Sequence, residues 1–409
     1  MIKEVIKLEI LNKKRALIIT EVFFPEDFLI NDLVFDWQKK KYSFEVFTRN
    51  PSYPKDKLFP GYSNTIYSKS LDKGILVHRV FTLLGYQRSN LVKFLNYILY
   101  FFLSFIFLVL NLHRYDRVFV YQTGPLSNAF SVSILKIFFK FKLIIWSQDI
   151  WPETLYAFGL KKTKFIDYFL RNFVRFIYSN CDFIFVSCPG FIKKINNLCP
   201  KKVVTWIPNW SLIDYKPKKS IKFPQGFNFT FTGNIGKVQN LTNVVLAFKK
   251  ISDINNKVHL NFVGDGSFLQ KLKKYVLKNK IRNVKFFGRK SLESMSDYLN
   301  SSDCLLISLS SAEIFSYTIP GKFQAYLSSK KPIYAVINGD VANLVQNYKI
   351  GTQADPDDID AIAKGFERCL NYSSNEIKKI SFNSGKLLKE KFDKDLILEM
   401  FDKKVWSIN

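Results

Sequence analysis

Short continuous runs of apolar, β-branched and aromatic residues alternate with longer amphipathic stretches through most of the 409-residue chain. RALIIT (15–20), FEVFT (44–48), RVFVY (117–121), KLIIW (142–146), DFIFVS (182–187) and VVTWI (203–207) predict strands. They are unbroken rather than alternating, as in parallel strands covered on both faces. Helical periodicity spans 30–41 and 165–179. After Ile207, PNWSLIDYKPKKSIKFPQG carries Pro208, Pro217 and Pro224 and reads as a linker. The strand pattern then restarts at FNFTFT (227–232), VHLNFV (258–263), VKFFG (284–288), DCLLIS (303–308) and PIYAV (332–336). Helix candidates at 242–251, 267–279 and 292–300 lie between them. Repeated strand–helix–strand units predict the α/β class: two Rossmann-like, doubly wound domains facing across a cleft. The expected divisions are an N-terminal domain over 1–208, a C-terminal domain over 209–385, and a terminal helix over 386–409 that packs back on the first domain.

One run breaks the pattern. Phe94–Leu112, FLNYILYFFLSFIFLVLNL, holds no charge and is just long enough to span a bilayer. Arg88 and Lys93 precede it; His113, Arg114 and Arg117 follow. Strands expected in one sheet occur on both sides of it, which disfavours a single span. A helix buried on a sheet and a helix lying in the membrane interface both remain open.

The balance of charge bears on partners. There are 61 Lys and Arg against 34 Asp and Glu, a net charge of +27. That excess suits nucleic acid, a membrane surface or a phosphorylated substrate. Cys181, Cys188, Cys199, Cys304 and Cys369 show no paired spacing, and only three His occur, so neither a disulfide framework nor a zinc site is expected. A reducing cytosol is the expected compartment. The first 20 residues, with Glu4 and Glu9, do not read as a signal peptide.

In open α/β sheets ligands sit at the carboxyl ends of strands, so motifs just after strands are the informative ones. FTFTGNIGKVQN (229–240) runs a strand into Gly233, Asn234, Gly236 and Lys237 before a helix. Glycines allow close backbone approach to a phosphate, and Lys237 adds a cation. A tight strand-to-helix turn would explain the glycines equally. Gly264 and Asp265 end the next strand, and Gly288 and Arg289 end the one after, where a base or diphosphate could dock. The loop 310–332 offers Glu313, Tyr317, Thr318 and Lys322, with Tyr326 on the following helix. In the first domain, WSQDIWPE (146–153) sets Gln148, Asp149, Trp151 and Glu153 at a strand end. A carboxylate there could take a hydroxyl proton or hold a sugar hydroxyl, and indole faces suit sugar C–H surfaces. Glu26, Asn31, Tyr53 and Gln122 occupy the other strand-end loops. The D-x-D at Asp358 and Asp360 reads as the acidic first turn of a helix, and no metal is expected.

Taken in order, FFPEDFLINDL (23–33), NPSYP…GY (50–62), YQTGPL (121–126), WSQDIWPE, IPN (207–209), FTGNIGKVQN (231–240), FVGDG (262–266), FFGR (286–289) and YTIPGKFQAYLSSKKPI (317–333) resemble the retaining glycosyltransferases of family 4, which have the GT-B fold. The nearest likeness is to bacterial enzymes that add sugars such as N-acetylfucosamine during O-antigen or capsule assembly. The resemblance implies a UDP-sugar donor in the C-terminal domain. Gly233, Gly236 and Lys237 would lie near the diphosphate, Gly288 and Arg289 near the base, and Lys322 and Tyr326 toward the donor. Asp149 would face the acceptor or the transferring sugar. Where many members carry two glutamates eight residues apart, this chain has Tyr317 and Ala325, with Gln324 adjacent and Glu313 out of register.

The function expected is retaining transfer from a UDP-sugar to an undecaprenyl-diphosphate-linked glycan on the cytoplasmic face of the membrane. Asp149, Glu153, Lys237 and Lys322 are the catalytic candidates, and Glu26, Asn31, Tyr53, Gln122 and Trp151 the acceptor-binding ones. Alternatives are a sugar-nucleotide epimerase on the same fold and a basic nucleic-acid-binding protein. Against the former, His78, His113 and His259 fall outside the strand-end motifs. Against the latter, the lysines are scattered.

Overall fold

The computed structural model describes residues 15–85, 89–124, 126–157 and 159–407. The reading of the first residues as lacking a signal peptide, the flanking Arg88, and Pro125 of the YQTGPL motif lie outside them. The chain divides into two compact units, 1–207 with 398–409, and 208–397. Sequence had placed the divisions at 208/209 and 385/386. The final helix to leave the second unit begins later than expected because Ser374–Lys391 packs on that unit's own helix at Lys322–Ser329.

The first unit holds an eight-stranded sheet in the order β3-β4-β2-β1-β5-β6-β7-β8. Its central strands are β1 (Arg15–Thr20), β2 (Ser43–Arg49), β5 (Arg117–Gln122) and β6 (Lys142–Ser147), all parallel and almost wholly buried. β7 (Phe183–Val186) and β8 (Val204–Trp206) extend one edge. At the other edge, β3 (Tyr67–Asp72) and β4 (Ile75–Val80) form an antiparallel hairpin that sequence did not anticipate. β3 is a polar edge strand, and β4 carries buried His78 and Arg79, so neither shows an apolar run. The helices are α1 (Leu29–Lys39), α2 (Asn90–Asn111), α3 (Ser127–Leu135), α4 (Glu153–Ala157), α5 (Lys164–Asn180) and α6 (Gly190–Leu198). β1 pairs with β2, before α2, and with β5, after it. Both flanks of α2 therefore belong to one sheet, and a single membrane span is incompatible with the fold.

The second unit carries a six-stranded, all-parallel sheet, β11-β10-β9-β12-β13-β14. The strands are β9 (Phe227–Thr232), β10 (Val258–Val263), β11 (Val284–Gly288), β12 (Cys304–Ser308), β13 (Ile333–Val336) and β14 (Gly351–Ala354). Strand order reverses between β9 and β12, the position where such sheets open a crevice at their carboxyl edge. Covering helices are α7 (Leu241–Ser252), α8 (Leu269–Lys278), α9 (Leu292–Asn300), α10 (Glu313–Ser316), α11 (Lys322–Ser329), α12 (Asp340–Asn347), α13 (Ile359–Leu370) and α14 (Ser374–Lys391). Phenylalanine fills this core: Phe366 meets Phe229 at 4.8 Å and Phe248 at 5.5 Å, both near edge-on. Asp358 caps α13, accepting from the Ala361 N–H at 2.8 Å, and Asp360 pairs with Lys250. The D-x-D is a helix start.

The last helix, α15 (Lys394–Val405), crosses back to the first unit. Phe401 packs on Trp146 (4.6 Å), Phe185 and Phe119, and Trp406 on Trp37 (5.4 Å) and Tyr42 (4.4 Å, stacked). Asp402 accepts from the Trp37 Nε1–H at 2.9 Å and pairs with Lys40. Removing a buried aromatic ring costs about 3–5 kcal/mol. Phe401→Ala should therefore lower the urea midpoint of the first unit and leave the second unit's transition in place, read by domain-resolved hydrogen exchange.

Candidate functional site

In the second unit the strand-end loops close on one another through missing side chains. A Cβ on Gly264 would lie 1.8 Å from the Gly233 carbonyl oxygen, and one on Gly266 would lie 2.4 Å from the Ile235 carbonyl oxygen. The Gly233 N–H donates to Val263 O and the Ile235 N–H to Asp265 O, each at 2.8 Å. Gly233 itself has φ +101°, a left-handed conformation that favours glycine. The Gly236 N–H donates to the Gln239 side chain at 2.8 Å, holding the turn into α7. Gly233, Asn234 and Lys237 are exposed on this rim; Gly236 is buried.

Lys322 meets that rim from the start of α11. Its Nζ is buried without a hydrogen-bond partner. It lies 3.5 Å from the centre of the Phe231 ring and 3.8 Å from where a Gly233 side chain would begin. Burial pushes its amine down from the ordinary lysine value to about 7. An ammonium here is half-solvated by an aromatic face and lacks an anion. A bound phosphate or diphosphate would supply one.

The other expected donor residues fall into two groups. Asp265, Arg289 and Glu313 are exposed around the same carboxyl edge, with Gly288 at φ +69° before Arg289. The Asp265 carboxylate accepts from the Gly266 N–H, and Glu313 accepts from the Tyr317 hydroxyl at 3.2 Å. Thr318 and Tyr326 are committed inward. The Thr318 hydroxyl donates to Ile314 O at 2.9 Å. Tyr326, expected to face the donor, is fully buried; its hydroxyl accepts the Thr232 N–H at 2.9 Å and reaches Leu306 O, tying β9 to β12 across the strand-order reversal. Ala325 and Gln324 are buried as well.

In the first unit, register places the ends of β1, β5 and β6 side by side: Thr20 opposite Tyr121, Tyr121 opposite Trp146 and Gln122 opposite Ser147. Asp149 follows directly. Burial raises its carboxyl to about 7, opposed by the positive charge of Lys93 from the first turn of α2. Tyr121 is held above the ordinary phenol range by burial and then by Asp149. A carboxyl titrating near neutrality can take and return a proton. Glu21, which sequence reading missed, sits just past β1, fully enclosed and paired to Arg49 at 3.1 Å. Burial raises its carboxyl too, while Arg49 and Lys93 lower it. The available signal was a carboxylate immediately after ALIIT and an arginine ending FEVFTR.

Several expected acceptor residues turn out to be ties of the scaffold. Glu26 is buried and its carboxylate accepts the backbone N–H groups of Phe23, Ser52 and Tyr53 at 3.2, 2.9 and 2.7 Å. Asn31 donates to Glu26 O, and Gln122 bridges Ser147 and Gly124 from a buried position. All three thus hold neighbouring loops together, although the Asn31 Oδ1 has no hydrogen-bond partner. Glu153 pairs with Arg171 at 3.3 Å, and Arg171 also holds Asp167. Tyr53 remains 44% exposed against Phe28, and Trp151 is half-buried. His78 bonds Glu45 and Tyr67, and His259 approaches Gln225 O, both away from these loops. Among the described residues no group of three or more His, Cys, Asp or Glu could hold a metal ion, and the five cysteines are buried free thiols.

Two α/β units built on mostly parallel sheets have the arrangement of the GT-B fold, and the chain's relatives in sequence show a transferase enzyme. Residues 214–386 match the family model described as Glycosyl transferases group 1. The probable glycosyltransferase WbjE of Pseudomonas aeruginosa is 27% identical over 281 residues, 64% of this chain and 69% of that protein. Among solved structures, sucrose-phosphate synthase from Thermosynechococcus elongatus superposes with a TM-score of 0.71 at 12% identity, covering 96% of this chain and 98% of that one. Anabaena HepE in complex with UDP-glucose gives 0.67 at 12% identity, covering 96% and 100%. These structural likenesses establish the fold.

The buried amine makes a stability test possible. Lys322 loses its proton in the folded state near pH 7 but keeps it to about 10.4 when unfolded. The unfolded chain thus binds more protons between those values, and stability rises with pH across that window. Below pH 7 the folded protein bears the whole penalty. Lys322→Met should raise the ligand-free Tm most below pH 7, with the gain shrinking toward pH 10 in differential scanning calorimetry.

Proposed function

We propose that the chain is a retaining glycosyltransferase of family 4 that moves a sugar from a UDP-sugar to a lipid-linked glycan, at the cytoplasmic face of the cell membrane. The observation that carries this reading is the buried, unpartnered Lys322 amine beside the glycine-lined end of β9. A diphosphate seated there gives the ammonium its counter-charge, and Lys237 on the exposed rim adds a second cation. As the donor bond breaks, negative charge grows on the departing diphosphate, and fixed cations favour that state over the ground state. Burial lowers the Lys322 amine to about 7, and a bound diphosphate favours its protonated form. No bound metal is required in this reading.

On the acceptor side, Asp149 holds or deprotonates the attacking hydroxyl. Its raised carboxyl suits a proton carrier near neutrality, and Lys93 keeps a fraction ionised. UDP-glucose in HepE and the name of WbjE support a nucleotide-sugar donor. An N-acetylated deoxy sugar such as N-acetylfucosamine, in O-antigen or capsule assembly, is the donor group favoured by the ordered sequence motifs.

With a UDP-sugar panel, lipid-linked acceptor and EDTA present, wild-type protein should turn over. Lys322→Ala and Lys237→Ala should each reduce kcat by about 10²–10³ without altering the circular dichroism spectrum. Full activity in both variants would refute the donor site. The rate should also climb as pH rises through about 7, where Asp149 ionises. In Asp149→Asn that limb should disappear, together with most of kcat.

A further inference from the structure

The helices over one side of the first sheet have an inverted surface. A helix facing water carries apolar residues inward and polar ones outward. In α2 the polar side chains are inside. Asn96 accepts from the Leu83 N–H at 3.0 Å, the Tyr100 hydroxyl donates to Thr20 O at 3.0 Å, and Ser104 meets Ser131 of α3 at 2.9 Å. All three residues are buried. The outward stripe is Leu91, Leu95, Ile98, Phe102, Ile106 and Val109, each exposed, with Phe102 at 56%. Their spacing of three and four residues keeps them on one face.

That face continues onto its neighbours. Phe130 of α3 touches Phe101 of α2 at 5.2 Å and Phe173 of α5 at 4.9 Å, so the three helices lie side by side. Past the end of α3, Ile137 and Phe138 are exposed; on α5, Phe165 (79%), Tyr168 and Phe169 are. Scattered exposed apolar residues are ordinary, but a regular stripe along one helix, with further exposed rings on an adjoining helix, marks a contact surface. Its charges are of one sign. No Asp or Glu occurs at 90–115 or 127–142, and the one carboxylate at 159–175, Asp167, is held by Arg171. Lys93, Lys140, Lys161, Lys162 and Lys164 are exposed around the apolar stripe.

We propose that the α2–α3–α5 face docks on an anionic lipid bilayer, with the outer stripe of α2 and the aromatic tip of α5 inserted among the acyl chains. Pairing of β1 with strands on both sides of α2 keeps that helix on one side of the bilayer. Apolar insertion and basic attraction act together in such docking, and only the second is screened by salt. Lys93, whose charge reaches Asp149 and Glu21, stands at the end of this face. An acceptor anchored in the same leaflet would then present its head to those carboxylates. The proposal deepens the membrane-face reading above and rests on it for the identity of the bilayer.

The test is flotation of the full chain with vesicles of phosphatidylglycerol in phosphatidylcholine, without donor or acceptor. Wild-type protein should float with these vesicles, less with phosphatidylcholine alone, and partly survive high salt. Phe102→Gln with Ile106→Gln and Phe169→Gln should weaken binding at least about tenfold, since each inserted side chain contributes burial of its apolar area. Phe382→Gln, a still more exposed ring of the second unit, should change nothing. Because the native cysteines are buried, a polarity-sensitive dye can be placed by Phe102→Cys or Phe382→Cys. Blue-shifted emission on vesicles is expected at position 102 alone. Unchanged binding in the triple variant, no shift at 102, or a dimer in sedimentation that hides the face instead would overturn the proposal. Sugar transfer without flotation would refute the docking face alone. Flotation without transfer to a lipid-linked acceptor would refute only the acceptor reading.

Discussion

The second unit depends on two strand-end loops approaching closer than side chains allow. The Gly233 carbonyl occupies the space a Gly264 side chain would need, and backbone bonds at Val263 and Asp265 lock the pair. Tyr326 then anchors the end of β9 to β12 from below. With those loops fixed, Lys322 has an aromatic ring and a glycine for neighbours and no anion. A wider loop would admit water and return the amine to its ordinary basicity. Close backbone packing and the Phe231 ring bury the amine, and a buried charge is strong when a ligand arrives.

Both units place a titratable group where its charged form is disfavoured: an amine beside β9 and a carboxyl beyond β6. Each is displaced toward neutrality by burial rather than by a like charge. Such groups weaken the empty protein and gain from an arriving partner, so stability is exchanged for readiness. At the opposite end of β2 the scaffold holds a fully paired carboxylate. Glu45 takes Arg15, Arg114, His78 and Tyr115, which together bring its carboxyl down to about 2 despite burial, whereas burial still raises the Glu26 carboxyl over its three backbone donors.

Much of the fold was legible because parallel strands announce themselves as unbroken apolar runs. All eleven of those runs became strands of the two sheets, while β3, β4 and β14 escaped notice. YSKSLD and GTQA are polar edge segments, and ILVHRV hides buried His78 and Arg79 among its apolar residues. The glycine-rich turn after β9 was legible because few residues other than glycine tolerate its geometry. Burial direction was not legible. Glu26, Asn31 and Gln122 look like binding residues in sequence because they sit at strand ends, yet the structure buries them and ties each to neighbouring backbone. Glu21 was overlooked because it directly follows an apolar strand, and only its pairing with Arg49 reveals the cluster. The apolar run at 94–112 fixed a helix but not which of its faces would meet the sheet.

The crossing points at 207/208 and 397/398 make the first unit discontinuous: the second is an insertion within it. A ribosome releases residues 1–207 long before Phe401 and Trp406 exist. Until then the pocket among Trp37, Phe119 and Trp146 has no lid, and the nascent first unit carries an open apolar hollow in addition to the bare face of α2. The second unit, whole in sequence, can complete its core first. The first unit is therefore closed by a short helix, Lys394–Val405, that is made only after the whole of the second unit.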